Sequence, residues 1–192
     1  MKTGSRWTHA LAALSGRQAM LGKIGKPVTP ADAVALLLEC HGRIRFFLAM
    51  ARRVGEATDE SAETVSDASV QVHRYFTLAL PLHARDEEES ILPRLSGRDQ
   101  LVDAQLDAMV REHQEHHQPL GRLVEACAEL GADPGRHALL ASSVLHAATE
   151  LERQFLDHLA REEEVIFPAV RRLLVGATDA SVVKEIRLRR ST

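Results

Sequence analysis

The chain has 192 residues, 45% hydrophobic and 27% charged, the balance of a globular domain long enough to bury its own core without staples. A formal net charge of −3, with histidine neutral, speaks against a nucleic-acid or anionic-membrane partner. No apolar run approaches the roughly 20 residues that span a bilayer, and Cys40 and Cys127 stand far apart in helical patterns, so they are expected as buried, reduced thiols of a cytoplasmic protein.

Residues 1–28 hold Lys2, Arg6, Arg17, Lys23 and Lys26 and no acid, and read as a basic arm packing on the domain or on a second copy of the chain. The segment HALAALSG within it is too short and too broken for a signal-peptide core. Residues 29–176 form the expected domain. Thr29-Pro30-Ala31-Asp32 reads as a cap with proline at the first helical position, starting a helix that runs to about Val54 and ends at Gly55. After the polar stretch GEATDESAE, a second helix covers about residues 62 to 92, kinked or broken at Pro81 and closed by Pro93, Ser96 and Gly97. A third covers about 99–130, with Pro119 inside it and Gly131 past its end. Asp133-Pro134 opens a fourth, about 134–166, expected to bend or stop near Pro168. Thr178 and Asp179 open a short basic helix within residues 177–192 that packs on the rest.

No segment alternates apolar and polar residues as a half-buried strand does. Four long helical patterns with short connections predict an all-α fold, an antiparallel up-and-down four-helix bundle with an N-terminal arm and a short C-terminal helix.

Two segments nearly repeat: HARDEEESILP from His83 and HLAREEEVIFP from His158. Each sets a histidine four residues before a run of three glutamates, which stacks an imidazole and a carboxylate on one helix face, the geometry of a chelate. The repeat reaches further. LECHGRI around His41 aligns with VREHQEH around His113, 72 positions on, and His83 aligns with His158, 75 positions on. The first two helices and the next two therefore read as two copies of one hairpin whose inner groups meet at a pseudo-twofold axis.

The inner groups are His41, His83 with Glu87, His113 with His117, and His158 with Glu162. A lone core histidine is ordinarily a hydrogen-bonded structural residue, and a glutamate run is ordinarily a solvated face. Matched spacing in two copies argues otherwise, because burying several imidazoles and two carboxylates without a cation is costly. Imidazole with carboxylate suits iron, manganese or zinc. No cysteine lies in a structural-zinc or iron–sulfur spacing, no HExxH motif occurs, and no histidine follows a glutamate by three residues as ferritin-like di-iron bundles require. His116 lies about 100° around the helix from His117 and is expected outside the site. Glu39 and Glu112 are expected as acceptors for imidazole N–H groups. Phe46, Phe47, Tyr75, Phe76, Leu80, Phe155, Leu159, Ile166 and Phe167 are expected in the core. His9 and His137 sit in the arm or near a helix start, and His73 and His146 could face inward above or below the site but lack a matching carboxylate one turn away, so none of the four is given a role.

These motifs resemble the hemerythrin-like, or HHE cation-binding, domain over roughly residues 30–175: a histidine in helix 1 (His41), HxxxE in helix 2 (His83, Glu87), a histidine in helix 3 (His113) and HxxxE in helix 4 (His158, Glu162). The resemblance implies an oxo- or hydroxo-bridged pair of iron ions, with Glu87 and Glu162 as bridges and His41, His83, His113 and His158 as terminal ligands. Glu163 is the fallback bridge for Glu162. His117 would complete the HxxxH of oxygen-carrying members; with it about one coordination position stays open, without it about two. The family reading is a metal-binding protein that binds or senses dioxygen, nitric oxide or peroxide, or buffers iron, rather than an enzyme. The alternatives are a defence enzyme that reduces peroxide or donates iron for cluster repair, and a helical interaction protein with a vestigial or zinc site. A homodimer is compatible with all three.

Overall fold

The computed structural model describes residues 32–191, and every regular element among them is helical. Helix α1 is Ala33–Glu56. Helix α2 begins as Ala62–Arg74, passes through a π-helical turn at Tyr75–Ala79, continues as Leu80–Arg85, passes a second π turn at Asp86–Ile91 and closes as Leu92–Leu95. Helix α3 is Gln100–Ala132. Helix α4 follows a 3-10 turn at Pro134–Arg136 and comprises His137–Arg161, a π turn at Glu162–Ile166 and Phe167–Leu173. Helix α5 is Ala177–Arg189. No helix of the described residues is long and apolar enough to cross a membrane.

Helix α2 closes just past Pro93, as the sequence suggests, while the kink or break expected at Pro81 and the bend or stop expected near Pro168 take the form of π turns within continuing helices. The residue just before each of three prolines donates to the carbonyl five back, not four: Leu80 to Tyr75, Leu92 to Glu87 and Phe167 to Glu162. A proline ring clashes with the carbonyl four residues before it, and the wider π turn moves that carbonyl aside. Helix α2 therefore passes Pro81 and Pro93, and α4 passes Pro168 and runs on to Leu173. Two of these turns contain Glu87 and Glu162, in line with the tendency of π turns to mark functional positions.

The caps also shift. The Thr29-Pro30 start and the arm of residues 1–28 lie outside the described residues. Asp32 caps α1, accepting from Ala35 N at 2.7 Å, and Asp179 of α5 accepts from Ala33 N at 3.0 Å. Gly55 does not end α1 but lies within it, where a Cβ would come within 2.6 Å of Leu145 N on α4. Gly131 likewise lies inside α3. Nearby, His137 Nε2 donates to Val54 O at 2.7 Å, tying the start of α4 to the end of α1.

Helices α1 and α3 each pack along both α2 and α4, and α5 lies on α1 and the second π turn of α2. The apolar interior divides in two. One core gathers Ile44, Leu48, Val72, Phe76, Leu123, Leu151, Phe155 and Leu159; the other gathers Leu37, Ile91, Leu95, Leu106, Met109, Ile166, Phe167, Val170 and, from α5, Val182 and Ile186. Cys40 and Cys127 are buried free thiols and Tyr75 is buried, as expected. Phe46 and Phe47 only pack against the first core from its edge. His73 is half-buried and His146 exposed, and neither joins the inner cluster.

Candidate metal centre

Between the two cores the chain interrupts its apolar stripe with polar residues in all four long helices. His41 sits between Leu37 and Ile44, His113 beyond Met109, the His83–Glu87 pair between Leu80 and Ile91, and the His158–Glu162 pair between Phe155 and Ile166. Their ligand-type atoms form two clusters, His41, His83, Glu87 and Glu162 in one and Glu87, His113, His158 and Glu162 in the other, with all atoms of each within 4.8 Å of one another.

Both carboxylates belong to both clusters, and each splits its oxygens between them. Glu87 Oε1 is 3.5 Å from His83 Nε2, and its Oε2 is 3.4 Å from His113 Nε2. Glu162 Oε2 is 3.1 Å from His41 Nε2, and its Oε1 is 3.1 Å from His158 Nε2. Two carboxylates therefore stand between two pairs of imidazoles, one oxygen to each pair, the arrangement that can bridge two cations.

The far side of the rings fixes their protonation. His41 Nδ1 donates to Glu163 at 2.7 Å, His113 Nδ1 to Glu88 at 2.7 Å and His158 Nδ1 to Glu112 at 2.9 Å. An ionised carboxylate only accepts, so the proton is on Nδ1 and a neutral ring presents a bare lone pair at Nε2. In His41 and His158 that nitrogen, like both oxygens of Glu87 and Glu162, is buried without a hydrogen-bond partner. Lone pair thus faces lone pair. Buried groups in that state need a proton or a cation between them, and four imidazoles with two carboxylates make a donor set that fits iron, manganese or zinc.

Without a cation the charges rearrange. Burial, and then the charge of Glu87, pushes Glu162 up to about 8. Burial also raises Glu87. Burial opposes charge on His113, but the Glu87 carboxylate 3.4 Å away, and then Glu88, outweigh it and hold its proton up to about 9. Burial and the neighbouring His113 and His41 drop His158 to about 3, and burial takes His83 well below its ordinary value.

Six of the seven expected site residues meet here; His117 does not. It is exposed and belongs to neither cluster, while His116, expected outside, is 3% exposed, stacks on Phe155 and meets the His158 ring edge-on. The buried positions of α3 explain the exchange. Val102, Leu106, Met109, His116, Pro119, Leu123, Ala126, Cys127 and Leu130 are buried, and with the half-buried His113 they form one seam at helical spacing that His116 joins and His117 misses. That pattern was readable from the sequence. Glu163 is not a bridge but the acceptor for His41, and it also receives Arg45 at 2.8 Å. Glu112 accepts from His158 on another helix, not from its neighbour His113, and Arg161 holds the same carboxylate. Glu39 is exposed and pairs only with Arg43. Glu88 and Asp86 were missed. Asp86 is completely buried and pairs with Arg189 at 2.9 Å and Arg190 at 2.7 Å from α5.

Residues 32–170 match the model of the hemerythrin HHE cation-binding domain. The chain belongs to that family. Among curated relatives, uncharacterized protein Rv1995 of Mycobacterium tuberculosis and uncharacterized protein Mb2018 of Mycobacterium bovis are each 30% identical to this chain over 174 residues, covering 84% of it. The chain spans 64% of the length of each. The HHE match covers all six converging side chains.

Proposed function

We propose that this HHE domain is a non-haem di-iron protein, with its long helices forming an antiparallel up-and-down bundle around the centre. His41 and His83 would hold one iron, His113 and His158 the other, with Glu87 and Glu162 spanning both. The observation that supports this most is the opposition of unprotonated Nε2 atoms and unpaired carboxylate oxygens at 3.1 Å in a buried layer. Manganese and zinc suit the same donors.

Such a centre, when bound, supplies electrons and open coordination for dioxygen, nitric oxide or peroxide. The chain's own part is positional. Glu163, Glu88 and Glu112 keep protons on the outer nitrogens, which aims the inner lone pairs and makes the rings better donors. Phe155, Phe167 and the two apolar cores restrict water on either side. With His117 outside the layer, four histidines, two carboxylates and one solvent-derived bridge would leave about two positions open on a pair of six-coordinate irons. That count favours reaction with small oxidants over the single-vacancy arrangement of an oxygen carrier. Turnover of peroxide is therefore the second reading.

Metal analysis joined to an optical spectrum tests both. Protein reconstituted anaerobically with ferrous iron should hold two equivalents and gain near-ultraviolet charge-transfer bands in air. Iron uptake at background level ends the di-iron reading. Steady consumption of peroxide supports an enzyme, and a single stoichiometric reaction supports a binder.

A further inference from the structure

The two hairpins match at every inner ligand position yet differ directly behind one imidazole. On the α3–α4 side, His158 Nδ1 is held by Glu112, which is itself held by Arg161. On the α1–α2 side, the residue 72 positions before Glu112 is Cys40, and Nδ1 of the buried His83 has no hydrogen-bond partner. Cys40 Sγ instead accepts from Arg43 at 3.4 Å and from Arg190 at 3.2 Å. The residue 75 positions before Arg161 is Asp86, so the charge there is reversed as well.

We propose that the two metal positions are unequal: the one between His113 and His158 is tight, the one between His41 and His83 is loose and exchangeable, and Glu112 sets the difference. The proposal rests on the reading of this layer as a paired metal centre. Its physical basis is the outer hydrogen bond. An Nδ1–H donated to a carboxylate locks the tautomer that leaves Nε2 free and strengthens that nitrogen as a donor. Both imidazoles of the tight position have this support, from Glu88 and Glu112. Of the loose pair only His41 has it, from Glu163. His83 can carry its proton on either nitrogen, and the Nε2–H tautomer must be given up before a metal enters. Losing one such outer partner typically weakens a metal site about 10- to 100-fold.

Full-length, metal-free protein titrated anaerobically with cobalt(II) against a chromophoric chelator reads this out. Two equivalents should bind in two steps separated by about 10- to 100-fold. Glu112→Gln should weaken the first step by a similar factor and draw the two together, while Cys40→Ser leaves the first step unchanged. At one equivalent, the exchangeable imidazole protons of His113 and His158 should carry the large paramagnetic shifts in the proton spectrum. Two equivalents of indistinguishable affinity, or the shifts falling on His41 instead, overturn the inequality while leaving the paired centre standing. No cobalt uptake at all removes the paired centre and the inequality together. Where Glu112→Gln fails to fold, the wild-type separation and the one-equivalent spectrum decide.

Discussion

The α1–α2 hairpin and the α3–α4 hairpin bring equivalent ligands to the centre and support them differently. His41 matches His113, His83 matches His158, Glu87 matches Glu162, and the outer carboxylates Glu88 and Glu163 cross to the opposite hairpin. Behind that layer the likeness ends. The second hairpin satisfies itself: Glu112 and Arg161 pair within it, and His116 packs on Phe155. In the first, the places of Glu112, Arg161 and His116 are taken by Cys40, Asp86 and Ile44, and the buried Asp86 is answered only by Arg189 and Arg190 of α5. A duplicated ligand frame can thus be kept while its supports diverge, because the inner atoms must meet a shared geometry and the outer ones need only be satisfied somehow.

The comparison breaks most completely at a shared residue. Glu162→Ala removes an oxygen from each cluster, and metal affinity measured by chelator competition should fall for both positions, by more than the roughly 100-fold expected of an outer partner. Protons should report on both halves too. In the metal-free protein at pH 7, Glu162 with its value near 8 and His113 with its value near 9 both hold protons. A cation must displace them, so a pH-stat should record acid release, and affinity should rise about tenfold per pH unit for each displaced proton until those values are passed. Proton-silent binding at pH 7 contradicts that arrangement.

The asymmetry sharpens in stability. Asp86→Ala leaves two guanidinium groups without their buried partner and should cost about 3–5 kcal/mol in urea denaturation. Its counterpart Arg161→Ala, at a partly exposed pair, should cost no more than about 1 kcal/mol. Equal costs erase the distinction between a hairpin that leans on α5 and one that does not. Where the hairpins meet, Gly55→Ala forces a methyl against the Leu145 backbone and should cost about 1–3 kcal/mol. The smallest effect belongs to His117→Ala, with stability within about 0.5 kcal/mol of wild type and metal content unchanged. A lost metal equivalent in that variant would restore the five-histidine site.

Local spacing was enough for much of this. HxxxE puts ring and carboxylate one turn apart whatever the helix packs against, so His83 with Glu87 and His158 with Glu162 were legible before any fold, and the repeat identified His41 and His113 as their partners. The choice between His116 and His117 was not open to local spacing, since both lie within about 60° of His113 around the helix. Only the seam from Val102 to Leu130 separates them.

The sequence by itself determined the helical class, the six inner side chains and their pairing, because each follows from periodicity over a few turns. Tertiary structure alone decided which carboxylate stands behind which ring. Those bonds join residues as far apart as His41 and Glu163, 122 positions along the chain. It also decided that the local breaks at Pro81 and Pro168 would be π turns inside continuing helices. The same holds for the burial of Asp86, which depends on α5 returning to α2 across 103 and 104 positions. Such contacts arise from packing between helices, which no single helix's pattern encodes.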